Sequence, residues 1–288
     1  MPSPTSEGKA DLHLHTIYSD GTESPTRVVE MAQAAGLRAM AITDHDILDS
    51  YPEASSAAQA RGIELIPGIE MSAALDGIEV HVLGFFLDLA CQPLQQLLAE
   101  QRQRRIGRIR EMVGRLQQLG LHLEADEVFA VAGPQGSVGR PHVAQALVKR
   151  GYVATEKEAF DRYIKNDGPA FVPGSSLSPK FVIQMIRQAG GIPALAHPIY
   201  LKDDALIERF TNEGLLGLEV YHSSHAPDVV QRYERIADEL GLLKTGGSDY
   251  HGRGKEGAEI GSTTIPYSLV EALKAWKREQ TQTSCESP

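Results

Sequence analysis

The stretch ADLHLHTIYSDGT, residues 10–22, sets His13 and His15 against Leu12 and Leu14 in strict alternation. A strand sends successive side chains to opposite faces, so two imidazoles look one way while two leucines pack the other. Such a strand needs an apolar core on one side and a cavity shared by both histidines on the other, the arrangement with which a His-x-His pair grips a metal ion. Asp20 and the Gly21 turn follow at once.

The rest of the chain repeats this strand in a βα rhythm. LRAMAIT (37–43), IELIPGIE (63–70) and IEVHVLGFF (78–86) read as strands. SPTRVVEMAQAAG reads as a helix with Ser24 as N-cap, Pro25 at its first position and Gly36 at its stop. From about 95 to 175 only helical patterns occur, including TEKEAFDRYIK with a Thr155/Glu158 capping box. After a helix capped by Ser178 and opened by Pro179, strands return as IPALAHP, LLGLEVYH and LLKTGGSDYH, for about seven in all. Segments 10–95 and 175–280 are therefore expected to form one discontinuous α/β unit interrupted by a small helical insertion at 96–174. The Ser-, Thr-, Pro- and Glu-rich ends, 1–9 and 281–288, are expected to be mobile tails.

Ligand-type residues fall where the strands end. His45 and Asp46 follow the second strand, Glu70 ends the third, His81 lies in the fourth, His197 ends PALAH, and Asp249 and His251 follow LLKTGG. The C-terminal ends of parallel strands are where α/β folds assemble their sites. A single buried histidine is usually a hydrogen-bonded core group, but this many at equivalent positions predicts a metal centre. Asp44 is expected to support or cap the site without ligating.

Composition narrows the chemistry. The 288 residues carry 28 Lys and Arg against 38 Asp and Glu, a formal charge of −10, which disfavours general attraction to nucleic acid or anionic lipid. The two cysteines, Cys91 and Cys285, exclude a disulfide framework and a cysteine zinc site. Without an apolar leader or an 18-residue apolar run, the chain reads as soluble, cytoplasmic and without a membrane partner. The sequence leaves the oligomeric state open.

The ordered motifs DLHLHTIYSDGT, ITDHD, GIE, the lone His81, AHP and GSDYHG resemble those of the PHP (polymerase and histidinol phosphatase) superfamily over residues 11–90 and 175–265. The resemblance implies a distorted (β/α)7 barrel carrying three divalent ions. It assigns His13, His15, Glu70 and Asp249 to the first ion. Glu70 bridges to the second, completed by His81 and His197. Asp20, His45 and His251 hold the third, and many relatives carry histidine at the place of Asp20. The resemblance favours manganese, while the mixed imidazole and carboxylate ligands also suit zinc or iron. Such ions would concentrate positive charge inside an acidic protein and serve phosphate ester hydrolysis.

Four further residues are candidates for substrate. His222, directly after LEVY, is the candidate general acid or phosphate ligand. Arg140 precedes the helix opened by Pro141 and is placed to meet an anion there, with Tyr18 and Ser72 as further contacts. In RQRRIGRIREMVGR, Ile106, Ile109, Val113 and Leu116 recur at helical spacing, which puts the arginines on the opposite, solvated face. His122 and His225 read as surface residues.

The helical insertion with its GRPH segment and the strand EVHVLGFF are similar to the bacterial PHP subgroup acting on nucleoside 3′,5′-bisphosphates. That similarity implies a phosphatase yielding 5′-mononucleotides from a small anionic nucleotide. Members of the subgroup are also reported as 5′→3′ exonucleases on short RNA ends. Two alternatives remain open, a histidinol-phosphate phosphatase and a non-catalytic PHP module.

Overall fold

A computed structural model describes residues 8–133, 136–201, 203–252 and 258–285. Of the expected tails, residues 1–7 and 286–288 lie outside the described residues, while Lys9 opens the first strand and 281–285 continue the last helix.

Eight strands form a mixed sheet: β1 Lys9–Leu14, β2 Leu37–Ile42, β3 Glu64–Leu75, β4 Ile78–Phe85, β5 Ile192–Leu195, β6 Gly217–His222, β7 Leu243–Gly247 and β8 Ile265–Pro266. Their order is β7-β6-β5-β4-β3-β2-β1-β8. The strands β1–β2–β3 and β5–β6–β7 run parallel. Between these blocks, β3–β4 and β4–β5 are antiparallel. The distortion has a local cause: Asp76 and Gly77 both take positive φ, 50° and 81°, the tight turn that folds β3 straight back into β4. The eighth strand, two residues beside Lys9 and Ala10, is too short to carry a periodic signal.

Closure comes from the segment after β7. Asp249 N–H donates to the His13 carbonyl and His15 N–H to the Tyr250 carbonyl, each at 2.9 Å, so β1 meets this segment and the sheet nearly closes into a barrel. A Cβ at Gly247 would stand 2.4 Å from His13 N, which is why a glycine sits at this crossing.

Helices surround the sheet. Helix α1 (Pro25–Ala34) starts as the sequence predicts, the Ser24 hydroxyl accepting from Arg27 N–H, and Gly36 beyond its end takes φ 71°. It packs with α2 (Tyr51–Arg61) on a cluster that includes Leu14, while Leu12 joins another with β2–β5 and the last helix. Each fully buried leucine stabilises the fold by about 1.5–3 kcal/mol.

Helix α3 (Gln92–Gln118) crosses from one core to another. Its Leu94, Leu97 and Leu98 belong to the barrel cluster, whereas Ile109, Met112, Val113 and Leu116 form a separate core with α4 (Ala125–Ala132), α5 (Arg140–Lys149) and α6 (Glu156–Ala159). The boundary between 95 and 96 thus falls inside a continuous helix. After α6 the expected helix becomes a π-helical turn, Phe160–Ile164, and the capping box is altered: Thr155 accepts from Glu158 N–H, but the Glu158 carboxylate accepts from Ala154. Helices α7 (Pro179–Gln188), α8 (Ala205–Asn212), α9 (Pro227–Leu240) and α10 (Tyr267–Cys285) complete the surround.

Candidate metal centre

His13 and His15 are fully buried on the face of β1 opposite Leu12 and Leu14, and their Nε2 atoms share two acceptors. His13 Nε2 stands 3.1 Å from Glu70 Oε2 and 3.3 Å from Asp249 Oδ1. His15 Nε2 stands 3.1 and 3.4 Å from the same two atoms. His251 Nε2 is 3.3 Å from Asp20 Oδ1, and His45 bridges the groups, with Nε2 3.8 Å from Asp20 and Nδ1 3.4 Å from Glu70 Oε2. His81 Nδ1 and His197 Nε2 both approach Glu70 Oε1, at 2.8 and 3.0 Å. All nine expected ligands are therefore brought together. By distance they form His13/His15/Glu70/Asp249, His15/Asp20/His45/His251 and His45/Glu70/His81, the last pairing His45 rather than His197 with His81.

Backbone geometry aims these side chains. His197 and Asp249, just past β5 and β7, take φ 27° and 55°, uncommon for residues with a Cβ and found where surrounding structure imposes them. The loop after β2 is fixed by Asp44, whose carboxylate accepts from Thr16 N–H, Thr16 Oγ1 and Ser19 Oγ, each at 2.7 Å.

The cluster fits cations. Among the described residues, His15 Nε2, His45 Nδ1, His81 Nδ1 and Asp20 Oδ1 are buried with no hydrogen-bond partner, and each such atom costs about 1–3 kcal/mol unless something satisfies it. Burial alone would raise Asp20, Glu70 and Asp249, yet the surrounding histidines hold all three well below the carboxylate range. Burial alone would lower His15 and His81, but neighbouring carboxylates carry them to about 9 and about 10. His45 is pushed down to about 3 by burial, against the pull of Glu70 and Asp20. Imidazole and carboxylate donors this close compete with protons for divalent ions.

Three supporting residues escape sequence reading or take another place. Glu219, fully buried in β6, accepts from His13 Nδ1–H at 2.8 Å and from His197 N–H at 2.7 Å. It thereby turns the His13 Nε2 lone pair toward the cluster. Its only signal in the sequence is a lone carboxylate in an apolar strand. His222 is buried, its Nδ1 accepting from Ser224 N–H and its Nε2 facing Asp249 Oδ2 at 3.2 Å, which places it against Asp249. His225 is buried as well, bonded to the Val220 carbonyl.

Beside the ligands lies an arginine nest that the helical periodicity does not predict. Arg105 and Arg108 turn inward from α3. Arg105 binds Asp46 at 2.5 Å and Ser72 Oγ at 2.8 Å; Arg108 reaches the Val172 carbonyl and leaves Nη2 buried without a partner among the described residues. Burial, with repulsion from Arg140 and Arg105, lowers Arg108 to about 10, still fully charged at neutral pH. Arg140 ion-pairs with Glu79 at 2.6 Å and lies over Phe160 and Phe171. The three guanidiniums border a cavity of about 130 Å³ also lined by Asp20, His45 and His81, which opens beside a larger one of about 940 Å³ over Glu70, His197 and Asp249. Tyr18 lines a different cavity, shared with Val131 and Gln145.

The PHP domain profile matches residues 11–165, more than half the chain. This protein belongs to the PHP family. The PHP chain is 33% identical over 258 residues to a 3′,5′-nucleoside bisphosphate phosphatase of Chromobacterium violaceum, covering 88% of this chain and 90% of that one. It is 35% identical to a 5′-3′ exoribonuclease of Haemophilus influenzae, covering 84% and 90%. A crystal structure from Bifidobacterium adolescentis, assigned as a metal-dependent phosphoesterase, superposes with TM-score 0.86 at 34% identity, covering 94% and 96%. This PHP protein is accordingly a metal-dependent phosphoesterase.

Proposed function

We propose that this protein removes the 3′-phosphate of nucleoside 3′,5′-bisphosphates, giving 5′-mononucleotides, and shortens 5′-phosphorylated RNA from its 5′ end. The observation that carries this reading is the second anion seat. Among the described residues, Arg105 and Arg140 are paired with Asp46 and Glu79, Asp20 on the same cavity is engaged by His45 and His251, and Arg108 keeps one buried guanidinium nitrogen unmatched. A phosphate held there, beside the ligand cluster, matches a substrate carrying two phosphates one ribose apart. Relatives acting on a bisphosphonucleotide and on RNA support the same reading.

His13, His15, Asp20, His45, Glu70, His81, His197, Asp249 and His251 would hold three divalent ions, manganese first, with zinc or iron as substitutes. Such ions lower the pKa of water and stabilise charge on phosphoryl oxygens. The chain does the rest. Glu219 and His222 orient His13 and Asp249, the guanidiniums grip the phosphate that stays, and Ser72, which accepts from Arg105, helps hold that arginine. Substrate choice is assigned to the helical segment 96–174. No helix among the described residues is long and apolar enough to cross a membrane, and we place the reaction in the cytoplasm.

A histidinol-phosphate phosphatase is the alternative reading, since Asp76, Glu79 and Asp167 also line the larger cavity, but the three arginines beside the ligands favour a second phosphate over an amine. A non-catalytic role leaves nine converging ligands without a task. The test is phosphate release by metal-stripped protein resupplied with manganese, offered 3′-phosphoadenosine 5′-phosphate, histidinol phosphate or a short 5′-phosphorylated RNA. AMP from the first and mononucleotides from the last are expected; turnover of histidinol phosphate alone would contradict the proposal.

A further inference from the structure

Tyr200 is one of the few large hydrophobic side chains left exposed, at 54%, and among the described residues it joins none of the hydrophobic clusters. It is nevertheless fixed. It lies in the 3₁₀ turn Pro198–Leu201, three residues after His197, and its N–H donates to the His197 carbonyl at 3.2 Å, which brings the two residues together. Its ring accordingly stands edge-on to His197 with centroids 5.3 Å apart, and its hydroxyl is hydrogen-bonded to Ser224 Oγ at 2.9 Å. The result is a pre-ordered aromatic surface on the wall of the 940 Å³ cavity, held by its edge and its tip.

Its place relative to the anion seat is informative. Contacts run in a row from Arg140 to Glu79 at 2.6 Å, from Glu79 to His81 at 3.9 Å, from His81 to His197 with rings 5.2 Å apart, and on to Tyr200. Glu79, His81 and His197 therefore stand between Arg140 and Tyr200 along the wall of this cavity. Phe160 and Phe171, the other aromatic residues of this wall, are at the arginine end, under the Arg140 guanidinium.

We infer that Tyr200 is a stacking platform for the base of the nucleotide on the 3′ side of the scissile phosphate, and so a specificity-determining residue for RNA over bisphosphonucleotide. The inference rests on the reading above. A bisphosphonucleotide spans from the arginines to the ligands and ends there, whereas an RNA chain continues past the ligands to Tyr200. Aromatic stacking suits this task because every base has a π-face, and a ring already ordered loses little freedom on binding.

The test measures kcat/KM of the manganese-loaded wild type, Tyr200→Ala and Tyr200→Phe on 3′-phosphoadenosine 5′-phosphate and on a 5′-phosphorylated RNA tetramer. The RNA-to-bisphosphonucleotide ratio is expected to fall about tenfold in Tyr200→Ala, through KM, and to return in Tyr200→Phe. Fluorescence anisotropy of labelled RNA on metal-stripped protein should weaken in parallel. An unchanged ratio overturns the inference, including the case in which both activities fall together because His197 has lost its support. A ratio that falls equally in Tyr200→Phe assigns the effect to the hydroxyl and also overturns it. Wild-type protein inactive on both substrates overturns the reading of the whole site, whereas activity on both with an unchanged ratio in Tyr200→Ala removes only the role of Tyr200.

Discussion

The ligand cluster and the arginine nest touch each other, yet the chain encodes them differently. Most of the candidate ligands sit in a strand or just past one, with Glu70 and His81 inside β3 and β4, and there the alternation of one short segment fixes which way a side chain faces. The nest is made by α3 and α5 reaching over the barrel, and only tertiary packing decides that Arg105 and Arg108 turn inward. A strand end thus announces its chemistry locally, while a helix with arginines on most of its faces does not say which of them is buried.

Breaking the ligand side should have the largest effect. Asp249→Asn keeps the shape but removes the charge shared by His13 and His15, and kcat should fall by about a thousandfold with metal loss detectable by elemental analysis. Retained metal with unchanged activity would dissolve the distinction between the two regions. Glu219→Gln touches no substrate but frees the His13 ring. Metal affinity in competition titrations should drop about 10- to 100-fold, the usual effect of losing such a partner.

Breaking the nest should act on binding. Arg108→Ala is expected to raise KM for 3′-phosphoadenosine 5′-phosphate about tenfold with metal content intact. A fall in metal content instead would mean that the nest supports the ligands rather than the substrate.

The smallest effect to resolve is that of pH on the metal-stripped protein. His15 and His81, raised to about 9 and about 10, hold protons that a metal must displace. Manganese affinity should therefore rise by about tenfold or more between pH 7 and 8, with proton release on binding. The linkage has a second consequence. These histidines bind protons more tightly folded than unfolded, so their stabilisation is full below about pH 6.5 and is lost as pH rises through 9 to 10. The Tm of the metal-stripped protein should fall over that window, and a Tm rising there would contradict the assignment.

The nine residues singled out in the sequence converge in the fold, and the βα rhythm and the run of helices after β4 were legible too, because each leaves a periodic or terminal signal. Arg140 lines the cavity as expected, although Glu79 now pairs with it. Glu219 was hidden because one carboxylate in a buried strand says nothing about what it faces. The placement of His222 depends on two contacts, Ser224 and Asp249, that only the folded chain supplies. The β3–β4 hairpin, the two-residue β8 and the π-helical turn under Arg140 depend on turn geometry and length, to which hydrophobic periodicity is blind.

The central claim is that an anion seat adjoins a metal-ligand cluster so that one substrate engages both. The most direct test compares kcat/KM of the manganese-loaded protein on 3′-phosphoadenosine 5′-phosphate and on adenosine 3′-monophosphate, which differ only in the phosphate meant for the arginines. A preference of about a hundredfold for the bisphosphate is predicted, in keeping with several charge-assisted hydrogen bonds to that group. Equal rates on the two would contradict the account.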